Sequence, residues 1–324
     1  MRWSNTILPL MILCAAAGSA AARVWHVPSD AADIAAGLAA AQPGDTVQID
    51  PGTYTEANLF LPEGVVLRGD PDDPSAVVVD AAYAGRIITC LNLVDGGVIE
   101  GLTLTHGLDT GAGGVLCEQS DTVIRRCVFR DNLSGFDGGA LVCNESAGLV
   151  EGCVFIDNNA TGGSGGAITC RRATPVIRRC SFRGNTALGW GGAVYCSGVG
   201  LMATLEKCEF LDNRARVGGA IAVNGAAPTV SDSEFRRNEA TDSGGAFFLS
   251  LGGEIDVADT VFEANSAPYG KIGTVGGGCR ASLRCTGADH SSVEGAGMVA
   301  WDEEGCAGVA VEQATWSELK SRFR

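Results

Sequence analysis

The sequence predicts an all-β solenoid, in which one chain winds through short parallel strands in coils of about 26 residues. Three periodic series predict this fold. Cysteines recur every 26 or 27 residues, at Cys90, Cys117, Cys143, Cys170 and Cys196. A Phe followed three residues later by an Asn recurs six times, first at Phe129 and Asn132 and last at Phe262 and Asn265. A Gly-Gly-Ala step begins at Gly138, Gly165, Gly191, Gly218 and Gly244. Units of this length bury a core only by stacking.

Each unit is predicted to consist of strands rather than helices. Segments such as Cys127–Arg130 and Cys208–Leu211 alternate with a period of two residues. This period is typical of strands, and the segments fall short of the roughly ten residues that a helical repeat needs. Cys and Phe recur on one face of the alternation while the other face varies. The recurring face is therefore predicted to point into the core.

Stacking predicts what each series does. Equivalent residues of neighbouring coils in a parallel stack lie about 4.8 Å apart, so the Phe series is predicted to form an aromatic ladder. The Asn series is predicted to lie at a turn, where its amides bond one another and the turn backbone. The Gly-Gly pairs fit a corner that requires a positive φ or a close approach between coils.

The cysteines are predicted to be buried thiols of the core. A second series, Cys127, Cys153, Cys180 and Cys208, precedes the Phe series by two residues. No Cys-x-x-Cys pair occurs, so spacing gives no support to zinc binding or haem attachment. Val223 and Leu249 take the place of cysteine in later coils, which favours a packing role, with disulfides between adjacent coils as the alternative. In the glycine-rich tail, a disulfide from Cys279 or Cys285 to Cys306 is one prediction and free thiols are the other.

The repeat units resemble those of known families. The Gly-Gly-Ala-Ile units at Gly165–Ile168 and Gly218–Ile221, with the Phe-x-x-Asn units, look like the repeats of polymorphic outer-membrane proteins. Residues 85–267 resemble the right-handed parallel β-helix superfamily that includes pectate lyases, and residues 43–69 are similar to its first coils. The resemblance implies a single-stranded right-handed parallel β-helix and, from the outer-membrane proteins, adhesion. It assigns no catalytic residue.

The first 22 residues are predicted to be a secretory signal peptide. Arg2 precedes an apolar stretch from Ile7 to Ala17, and small residues lead to cleavage after about Ala22. The protein is thus expected to be secreted or held at the cell surface. The apolar stretch is too short to cross a bilayer, and no transmembrane span is predicted.

The mature chain is predicted to contain eight or nine coils between two caps. Residues 23–84 hold a capping helix over Asp30–Ala41, with Asp30 as its N-cap, and the first coils. Residues 85–267 form the six-unit repeat region. Residues 268–324 form a Gly/Cys-rich segment that ends in a short helix over Thr315–Phe323. This second helix is interpreted as a C-terminal cap, with a docking or sorting tag as the alternative.

The charge of the chain limits its partners. The formal net charge of −15 disfavours binding to nucleic acid or to an anionic membrane surface. A polysaccharide or a surface protein remains as a partner, and the oligomeric state is not predicted. No cofactor is predicted. Calcium is an open alternative where Asp131, Asp157 and Asp212 precede a ladder Asn, although other residues interrupt that series.

No catalytic or metal-ligating residue is assigned. Gly52–Glu56 matches the Gly-x-Tyr-x-Glu element of pectin methylesterases, but the aspartate strings of that family are missing, so Glu56 is expected to be a surface residue. Arg68-Gly69-Asp70 is the integrin tripeptide, expected here at an ordinary strand end. The arginine pairs are expected on a mixed-charge outer face, with a basic stripe that binds acidic glycan as the alternative. The three histidines, His26, His106 and His290, are scattered.

These observations predict a non-catalytic protein that binds a glycan or a partner surface. The alternative is a polysaccharide lyase or hydrolase of the pectate-lyase-like class. A lyase of that kind needs carboxylates that hold calcium and an arginine or lysine base on the same face. A self-assembling structural protein is the third interpretation, and it would associate end to end.

Overall fold

The computed structural model describes residues 21–286 and 290–302. In this part of the chain, four parallel sheets run along the solenoid, and the backbone visits them in the order A, B, D and C in each regular coil. About ten coils of about 26 residues stack, rather than eight or nine, because coils without the Cys and Phe series lie at both ends. The predicted signal peptide and C-terminal helix lie outside the described residues.

The strands of each sheet pair in parallel with the coils before and after. Sheet A contains Val24–Val27, Thr46–Ile49, Val66–Arg68, Val98–Glu100, Val123–Arg125, Leu149–Glu151, Val176–Arg178, Thr204–Glu206, Thr229–Ser231, Glu254–Ala258, Arg280–Arg284 and Met298–Asp302. Sheet B contains Gly52–Tyr54, Val77–Asp80, Thr103–Thr105, Val128–Arg130, Val154–Ile156, Ser181–Arg183, Glu209–Leu211, Glu234–Arg236 and Val261–Glu263.

The other two sheets close the coil. Sheet D contains Leu108–Asp109, Leu133–Ser134, Asn159–Ala160, Thr186–Ala187, Arg214–Val217 and Glu239–Ser243. Sheet C contains Leu59–Phe60, Ile88–Leu91, Val115–Glu118, Leu141–Asn144, Ile168–Arg171, Val194–Ser197, Ile221–Asn224, Phe247–Ser250, Gly273–Val275 and Val293–Gly295. Short 3-10 helices occupy Pro74–Ala76 and His290–Ser292.

The predicted aromatic ladder forms in the core. Successive rings from Phe129 to Phe262 stack with centroid separations of 4.5 to 5.0 Å. The first five of the six side chains are at most 2% exposed. Because each ring sits in register with the next, the strands of sheet B cannot slip by one residue without placing this row in solvent.

The asparagine ladder also forms, at the corner between sheets B and D. The Oδ1 atom of Asn185 accepts hydrogen bonds from the backbone N–H and the amide nitrogen of Asn158, at 3.1 and 3.0 Å. The Nδ2 atom of Asn185 donates to the carbonyl oxygen of Phe155 and to Oδ1 of Asn213, both at 3.0 Å. The same pattern links the coils from Asn132 to Asn265, so buried turn backbone is satisfied by side chains.

The ladder cysteines are free and buried, which agrees with the packing interpretation rather than the disulfide alternative. The thiol of Cys208 donates to the carbonyl oxygen of Glu206, two residues earlier, at 3.4 Å. Ser233 and Thr260, at the same position in the next two coils, make the equivalent bond with a hydroxyl group. Burial raises the pKa of Cys208 to about 12, so this thiol is inert in the folded protein.

The Gly-Gly steps make the corner before sheet C. Gly165 has a φ of +68°, and a Cβ atom on Gly166 would lie 2.1 Å from the carbonyl oxygen of Gly192 in the next coil. The first glycine therefore supplies the left-handed conformation and the second allows the coils to approach.

The N-terminal helix begins three residues later than predicted. It spans Ile34–Ala40, and its N-cap is Asp33, whose side chain accepts a hydrogen bond from the backbone of Ala36 at 2.7 Å. Asp30 is not the cap because its carboxylate accepts from the backbone of His26, at 2.9 Å, and closes the preceding turn. Ile34 and Leu38 are buried as expected.

The last described coils contain Cys279 and Cys285. Cys279 is free and buried, whereas Cys285 is disulfide-bonded. The predicted pairing with Cys306 lies outside the described residues. Paired parallel strands continue to Asp302, beyond residue 267, where the sequence repeat ends.

Candidate functional site

The outer face of sheet A carries an alternating ladder of charges. Side chains in register along the stack are Arg68, Glu100, Arg125, Glu151, Arg178 and Glu206. Glu100 pairs with both flanking arginines, and Glu151 bonds Arg178 at 2.9 Å. Within this row three arginines alternate with three glutamates, so the row itself is close to neutral. Arg126 and Arg179 lie at the adjoining turn, where Arg179 shares Glu151 with Arg178.

Glu100 is the most enclosed member of this ladder, with a side chain that is 5% exposed. Burial acts to raise the pKa of its carboxyl group, but the hydrogen bonds from Arg125 and Arg68 outweigh burial and hold that pKa below its usual value. Glu100 is thus a paired, ionised structural residue rather than a proton donor.

Glu56 is a helix-capping residue, which corrects the expectation that it is an ordinary surface residue. Its two carboxylate oxygens accept hydrogen bonds from the backbone N–H groups of Ile34 and Ala35, at 2.9 and 3.0 Å. The hydroxyl group of Tyr54 donates to the carbonyl oxygen of Asp50 at 3.0 Å. The Gly-x-Tyr-x-Glu element therefore fastens the N-terminal helix to the first coil, and its match to an esterase motif has a structural explanation.

The other sequence candidates also have structural roles. Arg68 of the integrin tripeptide is paired with Glu100, and Asp70 accepts hydrogen bonds from the backbone of Asp72 and Asp73. Asp131, Asp157 and Asp212 are left-handed turn residues, and Asp212 pairs with Arg237 at 2.8 Å. Within residues 21–286 and 290–302, no group of three or more His, Cys, Asp or Glu side chains could hold a metal ion.

The outer face of sheet C carries an aromatic cluster, formed by Trp190, Tyr195 and Phe248. The Trp190 ring meets Tyr195 edge to face, with centroids 6.1 Å apart, and meets Phe248 in the same way at 5.5 Å. Ala222 lies in register between Tyr195 and Phe248 and is fully buried. The small residue leaves room for the indole, while the three rings themselves remain half-buried at the surface.

Polar side chains flank the aromatic cluster on the same face. Arg171, Ser197 and Asn224 follow one another in register. Asn224 donates to the Tyr195 hydroxyl group at 3.2 Å, and Arg171 pairs with Asp137 at 2.5 Å. Burial raises the pKa of Tyr195, so its hydroxyl group stays protonated and able to donate. Aromatic rings beside amide, hydroxyl and guanidinium groups are a chemistry that suits a sugar chain.

No pattern in the sequence predicted this cluster. Tyr195 and Phe248 occupy the same repeat position two coils apart, but Ala222 stands between them and Trp190 lies at another position, before a Gly-Gly step, so no aromatic series marks the cluster. The only signal was the alternation within sheet C, which places Tyr195 and Phe248 on the outer face on either side of Ala222.

The comparisons with known proteins bear on the fold. A family model described as a right-handed beta helix region matches residues 113–293. No curated protein and no solved structure matches the chain. In the part of the chain that the structure describes, no helix has the length and apolar character needed to span a bilayer.

Proposed function

The chain belongs to the right-handed β-helix family, and from that premise we propose that it is an exported protein that binds polysaccharide without cleaving it. The aromatic cluster on sheet C is the observation that carries the proposal. Partly exposed aromatic rings stack on sugar faces while neighbouring polar groups bond the hydroxyls. The likeness of the repeats to polymorphic outer-membrane proteins supports a role in adhesion, and the features of residues 1–22 support export.

The dimensions of the stack suit a chain ligand. The described coils are spaced about 4.8 Å apart, so a polymer that lies along the axis meets equivalent positions at regular intervals. Arg171, Ser197, Asn224 and Ser250 form a continuous outward row over four coils beside the rings. Since Arg171 is already paired with Asp137, the face has little net charge and favours a neutral polysaccharide.

Binding is tested by calorimetric titration of the mature chain with soluble neutral and acidic polysaccharides. We expect Trp190→Ala to lower the affinity for the bound polysaccharide by about tenfold, which corresponds to the loss of about 1.4 kcal/mol of binding free energy with the indole contact. Phe60→Ala is the matched control, because Phe60 is an exposed aromatic residue on sheet C, in the outward row that contains Tyr195 and Phe248 but several coils away from them. Equal losses in both variants would refute the site.

A second candidate function, glycoside hydrolysis, is favoured by one carboxylate pair on sheet B. Glu209 and Glu234 are in register on neighbouring strands, which places two carboxylates side by side as glycoside hydrolysis requires, although Glu234 also pairs with Arg236. Burial raises the pKa of Glu234, while Arg183 bonds Glu209 at 2.8 Å. Release of reducing ends that is abolished in Glu234→Gln would replace the binding proposal with this one.

A further inference from the structure

We propose that the corner between sheets B and D near the N-terminal end is a second binding site, which takes the hydroxyl groups of a neutral sugar. Four residues form it: Asp80, Tyr83, Thr105 and His106. The corner lies several coils from the aromatic cluster and on another face. The inference rests on the proposed function only in that its ligand is a carbohydrate.

The imidazole of His106 is oriented by a carboxylate. Its Nδ1 atom lies 3.0 Å from Oδ1 of Asp80, and the same oxygen accepts the backbone N–H of Ala82 at 2.8 Å. In the neutral ring, this contact places the proton on Nδ1 and leaves Nε2 as an acceptor. A carboxylate and an oriented Nε2 atom thus stand side by side at a partly exposed corner.

Tyr83 covers the imidazole from one side. Its ring lies 4.9 Å from that of His106, tilted by 54°, and the residue is 44% exposed. Ala82 and Tyr83 both have positive φ values, of 48° and 58°. Two consecutive non-glycine residues in this conformation are strained. Two hydrogen bonds hold them: Ala82 N–H donates to the Asp80 carboxylate, and Tyr83 N–H donates to the carbonyl oxygen of His106 at 2.7 Å.

Thr105 supplies the observation that points to a ligand. It lies on the outer face of sheet B, in register with Asp80 on one side and Arg130 on the other. It is only 5% exposed, and its hydroxyl oxygen has no hydrogen-bond partner among the described residues. A buried hydroxyl group without a partner is costly, and a ligand hydroxyl entering beside Asp80 would satisfy it.

The balance of donors and acceptors selects the ligand class. The Asp80 carboxylate and the Nε2 atom of His106 accept hydrogen bonds, and a sugar with adjacent free hydroxyls donates them. The exposed Tyr83 ring offers a face for the C–H side of the same sugar. In the next coil Arg130 is already paired with Asp131, so the charge that faces a ligand is that of Asp80, and neutral sugars are favoured over uronic acids.

The test measures binding of methyl glycosides of neutral hexoses to the full mature chain by saturation-transfer NMR and calorimetry. Glucuronic acid is the charged comparison. We expect binding of a neutral glycoside, an affinity about tenfold lower in Asp80→Asn, and no response to Trp190→Ala. Asp50→Asn is the matched control, because Asp50 lies 3.8 Å from His26 at another exposed His–Asp contact. Retained binding in Asp80→Asn would overturn the proposal.

Thr105→Val separates a binding role from a structural one. Valine removes the unpartnered hydroxyl group at nearly constant volume, so we expect equal or higher thermal stability together with weaker glycoside binding. A lower stability would show that the hydroxyl group already has a structural partner. Unchanged binding would contradict its place in the site. If polysaccharide binding does not depend on Trp190 but the glycoside still binds at Asp80, the proposed function fails and this second site remains supported.

Discussion

Replacing Asn185 by alanine tests what holds the coils together. The side chain takes part in four hydrogen bonds, two with Asn158, one with Asn213 and one with the carbonyl oxygen of Phe155. At a net value of about 1 kcal/mol each, their loss lowers the free energy of unfolding by about 4 kcal/mol. The backbone N–H of Asn158 and the carbonyl oxygen of Phe155 would also lose their hydrogen-bond partner, and this adds to the cost because the site is fully buried.

The assay is urea denaturation followed by circular dichroism, with the midpoint and slope compared between variants. Asn159→Ala is the control, since Asn159 is a half-buried residue on sheet D one coil earlier. That variant is expected to change the free energy of unfolding by about 0.5 kcal/mol or less. If Asn185→Ala costs no more than Asn159→Ala, the amide ladder does not hold the coils and the reasoning is wrong.

Three further predictions concern other parts of the chain. Glu56→Ala removes two hydrogen bonds from the start of the helix Ile34–Ala40 and should lower the free energy of unfolding by about 1–2 kcal/mol, measured in urea against Thr53→Ala as an exposed control. The folded pKa of Glu100 is depressed, so the stability that its carboxylate provides is present above the unfolded pKa and is lost as the pH falls through the folded pKa. The melting temperature of Glu100→Gln should therefore fall less on acidification than that of the unaltered chain. Equal pH profiles of the two proteins would contradict this. The ladder thiols, Cys208 among them, should resist a thiol reagent at pH 8 until denaturant is added, and rapid labelling of the folded chain would contradict their burial.

The repeat made the core predictable. Phe129 and its equivalents recur with the same side chain, so one periodicity predicts strand register, the inward face and the ladder together. The number of coils was underestimated because strands such as Val66–Arg68 and Arg280–Arg284 complete coils that lack the repeated residues. Those coils are defined by the hydrogen bonds between their backbone and that of the neighbouring coils. A series of repeated residues cannot predict such pairing.

The surface was much harder to predict. Glu56 caps a helix that begins 22 residues earlier, and that contact depends on how the first coil places the helix. The aromatic cluster joins Trp190 and Tyr195 of one coil to Phe248 two coils later, and Ala222 between the two strands makes room for the indole without forming a periodic series. The arginines that suggested a basic stripe form ion pairs with acidic residues that the repeat does not reveal, as in the pair of Arg178 and Glu151. Outer positions vary freely in a solenoid, so their combinations are visible only in three dimensions.

The most direct test of the central claim is the affinity of Trp190→Ala and Phe60→Ala for the polysaccharide that the unaltered chain binds best, measured by calorimetry at matched thermal stability. We predict that the affinity falls by about tenfold in Trp190→Ala and is unchanged in Phe60→Ala. A chain that binds no polysaccharide, or one whose binding survives loss of the indole, would contradict it.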